Sequence, residues 1–96
     1  MRSNTDLIVL PEAEDDIRDI FKYTREVGGN TQADAYVDLI DSAFRRIQTF
    51  PEIGMVADET RPNLREYQLE YHLILYRREP DAVTILRVIN PRRLRR

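Results

Sequence analysis

Residues 11–51, PEAEDDIRDIFKYTREVGGNTQADAYVDLIDSAFRRIQTFP, decide the fold of this 96-residue chain. Two amphipathic helices are predicted here, because apolar residues recur every three or four positions and so share one helical face. The two apolar stripes consist of Ala13, Ile17, Ile20, Phe21 and Thr24, then Ala33, Tyr36, Val37, Ile40, Ala43, Phe44 and Ile47. Gly28 and Gly29 separate the stripes, and glycine readily ends a helix. The segment therefore predicts a helical hairpin.

The ends of these helices carry matching signals. Pro11 suits a first helical position, where its missing N–H costs nothing. Phe50 precedes Pro51 and so ends the second helix, since the residue before proline resists the helical conformation; its ring is expected in the core. An acidic cluster occupies the first turns, where the helix dipole favours negative charge: Glu12, Glu14, Asp15 and Asp16. We interpret this cluster as helix stabilisation rather than as a metal site or a pair of catalytic carboxylates.

Segments of β type flank the hairpin. Asp6–Leu10 comes before it, and a turn-rich loop, Pro51–Asn63, comes after it. Three runs rich in Val, Ile, Leu and Tyr follow the loop. They are Leu64–Leu69, Tyr71–Arg77 and Val83–Asn90. The order predicts a single α+β domain over residues 1–96, in which an N-terminal strand and the hairpin are followed by a three-stranded antiparallel sheet, with the hairpin on one face.

Composition excludes several kinds of site. The chain has no cysteine, so disulfides, thiolate catalysis and cysteine zinc sites are excluded. His72 is the only histidine, and we expect it to be structural rather than a general base. No apolar stretch approaches the roughly 20 residues that span a bilayer, and the N-terminal residues do not resemble a signal peptide. We therefore expect a cytoplasmic protein without a cofactor.

Charge is divided unevenly along the chain. Residues 1–50 carry six basic and ten acidic side chains, whereas residues 51–96 carry nine and seven. From Arg87 onward there are five arginines and no acidic residue. Strand alternation directs Arg87 away from Val88, onto the open face of the sheet if the helices cover the Val88 side. Because arginine binds phosphate and carboxylate in a two-pronged manner, we hypothesise a positively charged working edge here; the alternative is an ordinary solvated surface.

An ordered set of residues covers nearly the whole chain and carries a family resemblance. It includes Ala13, Asp16, Ile17, Ile20, Tyr23, Gly28, Ala33, Tyr36, Ala43, Ile47, Phe50, Pro51 and Gly54, then NLR at 63–65, HLILYR at 72–77 and ILRVINPRR at 85–93. This pattern resembles the ParE/RelE toxin superfamily of type II toxin–antitoxin modules, and its second half looks most like the ParE branch. The resemblance implies a non-enzymatic toxin that inhibits DNA gyrase by binding and that a cognate ParD-like antitoxin neutralises.

The resemblance also suggests which residues act. We expect the target to be contacted by four arginines: Arg65, Arg87, Arg92 and Arg93. An antitoxin helix lying in a groove needs apolar side chains that the core has not used. The candidates for this contact are Tyr36, Met55, Val56 and Tyr76.

Two alternatives stay open. A RelE-like, ribosome-dependent mRNA endoribonuclease would use Arg92, with Arg65 or Arg87 as phosphate clamps. Against this, the loop before the second strand has no lysine and no tyrosine follows Arg92, so side chains that would transfer protons during cleavage are missing. The second alternative is a degenerate member that binds its antitoxin and inhibits nothing. Asn90 and Pro91 stand where the ParE branch usually has a histidine after the last strand.

Overall fold

The computed structural model describes residues 5–94, with side chains through Arg92. Residues 5–94 form five strands, a long broken helix and a short C-terminal helix. In order these are β1 (Asp6–Val9), α1 (Pro11–Thr49), β2 (Met55–Val56), β3 (Leu64–Leu69), β4 (His72–Glu79), β5 (Ala82–Ile89) and α2 (Pro91–Leu94). Within residues 5–94, no helix combines the length and the apolar character needed to span a membrane.

Helix α1 is broken at Gly29, whose φ of 90° and ψ of 172° are not helical. Glycine adopts this conformation readily because it has no Cβ. A straight helix of 39 residues would measure about 58 Å, which exceeds the 42 Å longest dimension of the molecule. The break gives a first arm, 11–28, and a second arm, 30–49. The predicted helical hairpin is thus confirmed.

The five strands form one sheet in the order β1-β5-β4-β3-β2. Strand β1 pairs with β5 in parallel, and the other neighbours are antiparallel. The α+β prediction is confirmed, but the loop predicted over Pro51–Asn63 is wrong in one respect. Met55 and Val56 form strand β2, opposite Glu66 and Arg65 of β3. A strand of two residues is too short to show a period in the sequence.

The core lies between the helical arms and one face of the sheet. Its buried side chains include Ala13, Ile20, Ile40, Ala43, Phe44 and Ile47 of the helix and Ile74, Tyr76, Val83, Ile85 and Val88 of the sheet. Cross-strand partners point to the same face of a sheet. Since Ile74 lies opposite Val88 and Tyr76 lies opposite Ile85, these four residues share the covered face.

A β-bulge at Leu86 interrupts this pairing. Leu75 pairs with Arg87 while Tyr76 pairs with Ile85, which leaves Leu86 as the extra residue of β5. A bulge bends its strand and increases the local twist. The register after the bulge places Arg87 opposite Leu75 and therefore on the face away from Val88, as the alternation predicted.

Candidate functional site

Arg87 is tied to the first helical arm by a two-pronged ion pair. Its Nε donates to Asp16 Oδ2 at 2.7 Å and its Nη2 donates to Asp16 Oδ1 at 2.9 Å. The hydrogen bonds to this carboxylate raise the pKa of the Arg87 guanidinium above its usual value, and the negative charge of Asp16 adds to the effect. Arg87 lies on the open face, but two of its donors are used within the molecule.

The Asp16 carboxylate also closes the edge of β5. Strand β1 pairs with β5 only as far as Ile85, and the chain then turns into α1. One turn further along α1, Asp16 Oδ2 accepts the backbone N–H of Val88 at 2.9 Å. The Asp16 side chain is only 15% exposed. Interpretation of Asp16 only as one of several acidic residues at the helix start missed this contact. The occurrence of Asp16 in the family pattern was a signal that this residue has a further role.

A shallow cleft of about 260 Å³ lies between the first arm and the end of β5. It is lined by Asp16, Asp19, Ile20, His72, Arg87, Val88, Ile89 and Asn90. At the end of the cleft, Asn90 Oδ1 accepts the backbone N–H of Arg92 at 2.9 Å, as a helix-capping side chain does. Among residues 5–94, no three His, Asp or Glu side chains come together as metal ligands would.

Of the four predicted target-binding arginines, Arg92 is the one with a described side chain beyond the last strand. Arg92 is exposed, and the structure shows no ion pair for it with any residue from 5 to 92. The side chain of Arg93 lies outside the described part of the chain, as do Arg95 and Arg96. Arg87 is close in sequence but is held by Asp16.

Arg65 lies elsewhere, on β3, where it holds the loop before β2. Its Nη1 donates to the carbonyl oxygens of Gly54 at 2.6 Å and Glu52 at 3.1 Å. Its Nε is buried and has no hydrogen-bond partner within the described residues. Arg65 pairs with Val56 on one side and Tyr76 on the other. Its contact with a target stays a prediction, since these donors face its own chain.

Tyr76 is a core residue, so the predicted antitoxin contact is wrong for this fold. Its side chain is 0% exposed. The hydroxyl donates to Pro51 O at 2.7 Å and accepts the backbone N–H of Gly54 at 2.9 Å. Burial raises the pKa of the Tyr76 hydroxyl. Tyr76 therefore acts from beneath the surface, by anchoring the segment that leads into β2.

The side chain of Tyr36 extends from the second arm and is half-buried against the start of β4. Its hydroxyl lies 2.7 Å from His72 Nδ1 and donates to Leu69 O at 3.3 Å. The Tyr36 and His72 rings are 5.4 Å apart at an interplanar angle of 54°. Burial raises the pKa of the Tyr36 hydroxyl. Only part of this side chain remains accessible, so its predicted contact with an antitoxin depends on the exposed edge of the ring.

An exposed apolar surface lies around β2, and we call it the β2 surface. It consists of Phe50, Ile53, Met55 and Val56, all of them exposed. Met55 is the most exposed, at 75%. Phe50 was expected in the core but follows the last helical turn and points outward, so that expectation is wrong. Sequence reasoning found Met55 and Val56 and missed Phe50 and Ile53, although all four lie within seven consecutive residues.

Comparison with known proteins agrees with this geometry. Residues 7–95 match the family model of the ParE toxin of the type II toxin–antitoxin system parDE. Toxin ParE3 of Caulobacter vibrioides is 32% identical over 77 residues, which cover 80% of this chain and 77% of that protein. Toxin ParE1 of Mycobacterium tuberculosis is 28% identical over 86 residues, covering 88% of each.

A solved structure confirms the fold. A chain from a chromosomal ParDE toxin–antitoxin system of P. aeruginosa superposes with a TM-score of 0.78 at 20% identity. The alignment covers 91% of this chain and 96% of that one. The match of the family model over residues 7–95 is the decisive observation. The chain therefore belongs to the ParE toxin family of type II toxin–antitoxin systems.

Proposed function

We propose that this ParE-family protein inhibits DNA gyrase by binding to it, without catalysis, and that a cognate ParD-like antitoxin neutralises it in the cytoplasm. The β2 surface carries the antitoxin part of the proposal. This surface places four exposed apolar side chains within seven residues, and exposed apolar patches mark interaction sites. The related P. aeruginosa structure is of a ParDE toxin–antitoxin system, which supports an antitoxin as the partner.

Met55 is the best anchor for an antitoxin helix on this surface. Its side chain is 75% exposed, so its apolar area is available for burial by a partner. Burying a methionine side chain is worth about 1.5–3 kcal/mol. A buried unpaired carboxylate in its place would weaken binding further. We therefore expect Met55→Glu to raise the Kd for the antitoxin by at least about 30-fold, the equivalent of roughly 2 kcal/mol.

Titration calorimetry with the cognate antitoxin tests this expectation. Tyr23→Glu is the matched control, because Tyr23 is another exposed apolar side chain but lies on the outer face of the first arm. The control should bind within about twofold of the parent. Equal affinity of the Met55→Glu variant and the parent would exclude the β2 surface as the antitoxin site.

The C-terminal edge supports the target part of the proposal. Arg92 is exposed and lies beyond the last strand, where five arginines and no acid occur from residue 87 onward. A cluster of arginines attracts acidic surfaces and phosphates. Arg92 and Arg93 are thus the side chains that we expect to contact gyrase or the DNA bound to it.

A gyrase supercoiling assay tests the target directly. The parent should inhibit, and the Arg92→Ala/Arg93→Ala variant should need at least about tenfold more protein, as expected when two charged contacts are lost. Arg18→Ala/Arg45→Ala removes the same charge from the helix surface and should inhibit like the parent. Equal inhibition by all three proteins would support gyrase as the target and exclude the C-terminal edge as the site that contacts it. No inhibition by the parent would refute gyrase as the target.

The ribonuclease alternative is less well supported by the geometry. It requires Arg65 or Arg87 as a phosphate clamp beside Arg92. The Arg65 guanidinium instead binds two carbonyl groups of the loop before β2, and the Arg87 guanidinium binds Asp16. We expect intact mRNA in a translating extract. Cleavage that disappears on Arg92→Ala would overturn the non-enzymatic proposal.

A further inference from the structure

We propose that Asp16 is a positioning residue for the C-terminal edge. It takes the place of a missing strand beside the end of β5 and thereby sets the direction of the segment that carries Asn90 and Arg92. The link to toxicity rests on the proposed function, whereas the positioning itself is a property of the fold. The helix-start position of Asp16 alone would not support this role; its contacts with β5 do.

Three hydrogen bonds converge on the one carboxylate. Two come from the Arg87 guanidinium, at 2.7 and 2.9 Å, and the third comes from the Val88 backbone N–H at 2.9 Å. Their donors lie 71 and 72 residues along the chain from Asp16. Hydrogen bonds to a charged acceptor are about twice as strong as neutral ones. These contacts therefore join the first arm to the last strand.

The other described ion pairs of the helix are of a different kind. Arg18 pairs with Asp15 and Arg45 pairs with Asp41, each within one helical turn and with both side chains well exposed. Pairs of this kind contribute little, because solvent screens them and they fix no second element. The Asp16 side chain is mostly buried and also binds backbone, so its loss would leave the Val88 N–H without its acceptor.

The contact sits where β5 most needs support. Beyond Ile85, strand β1 no longer pairs with β5, and the bulge at Leu86 has already increased the twist of the strand. From there on, β4 holds one side of β5 and Asp16 holds the other. Asn90 follows Val88 by two residues and caps Arg92. The carboxylate is therefore the last fixed point on its side before the arginine segment.

The test compares Asp16→Ala and Asp16→Glu with Asp15→Asn, an exposed neighbouring control. Amide exchange measured by NMR should be about tenfold faster at Val88 in Asp16→Ala, as expected for the loss of one charge-assisted hydrogen bond. The backbone shifts of Asn90 and Arg92 should move in the same variant. Asp16→Glu retains the carboxylate and should recover part of both effects, and Asp15→Asn should resemble the parent.

Measurements of gyrase inhibition and antitoxin binding separate a positioning role of Asp16 from a general loss of structure. Supercoiling inhibition by Asp16→Ala should weaken about tenfold. The Kd for the antitoxin should stay within about twofold, since strands β4 and β3 separate β2 from β5 in the sheet. Unchanged exchange at Val88 and unchanged shifts at Arg92 would overturn the inference, and so would equal losses of inhibition and antitoxin binding. A parent that does not inhibit gyrase would refute the proposed function, and the NMR comparison alone would then decide on Asp16.

Discussion

Removing one hydroxyl group from the core should loosen the edge of the sheet that carries the β2 surface. In Tyr76→Phe the ring stays, but Pro51 O and the N–H of Gly54 lose their partner at 2.7 and 2.9 Å. Gly54 is itself buried, so water cannot easily replace that partner. A buried group left unsatisfied costs about 1–3 kcal/mol. We expect the free energy of unfolding to fall by about 2 kcal/mol, which lowers Tm by roughly 8–16 °C in a domain of this size.

Urea unfolding followed by circular dichroism measures this change. Tyr71→Phe is the matched control, because its side chain is well exposed and its hydroxyl should contribute almost nothing. Gly54→Ala should also be destabilising, since the added Cβ would lie 2.8 Å from the Tyr76 hydroxyl and 2.7 Å from Glu66 O. The two changes should be less than additive, as both disturb one contact. A Tyr76→Phe variant within 0.5 kcal/mol of the parent, roughly the range of an ordinary surface change, would refute the anchoring role.

Three further outcomes can be measured on the same protein. Gly29→Ala should lower the free energy of unfolding by about 1–3 kcal/mol, because a φ of 90° strains any residue with a Cβ even though the space around it is open. The matched variant Gly28→Ala places its Cβ against only the end of a flexible side chain. Burial raises the pKa of Tyr36 and Tyr76 above the ordinary 10.0, so their contribution to stability is present below about pH 10 and is lost as the pH rises through the folded pKa. Thermal unfolding across pH 8–12 would contradict this if it showed no decline. Arg45→Ala should change the free energy of unfolding by less than about 0.5 kcal/mol, since its partner Asp41 is exposed, and a larger change in urea unfolding would be unexpected.

The parts of the fold that depend on local periodicity were predictable from the sequence. The stripe from Ala33 to Ile47 and the two glycines are enough for the hairpin. The strands β3, β4 and β5 follow from runs of Val, Ile, Leu and Tyr. The family resemblance came from the same residues, and the match over residues 7–95 confirms it.

The parts that depend on tertiary pairing were not predictable. Alternation shows that Ile74 and Tyr76 share a face but not which face the helices cover, so it cannot show that Tyr76 is fully buried. The bulge at Leu86 has no local sequence signal, because only the register with β4 defines it. The partner of Arg87 is 71 residues away, and a sequence read locally cannot reveal such a contact. Strand β2 is visible only from its pairing with β3.

The parallel pairing of β1 with β5 has a consequence for the synthesis of this toxin. Asp6 lies opposite Ala82, so the first strand made must wait for the last before the sheet can be completed. At translation rates of about 5–20 residues per second, roughly 4–15 s separate the appearance of these two residues. The hairpin needs only local contacts and can form during this interval, whereas the β5 edge and its arginines cannot. A ribosome carrying the unfinished chain therefore displays the helical hairpin for some seconds before the pairing of β1 with β5 can complete the sheet.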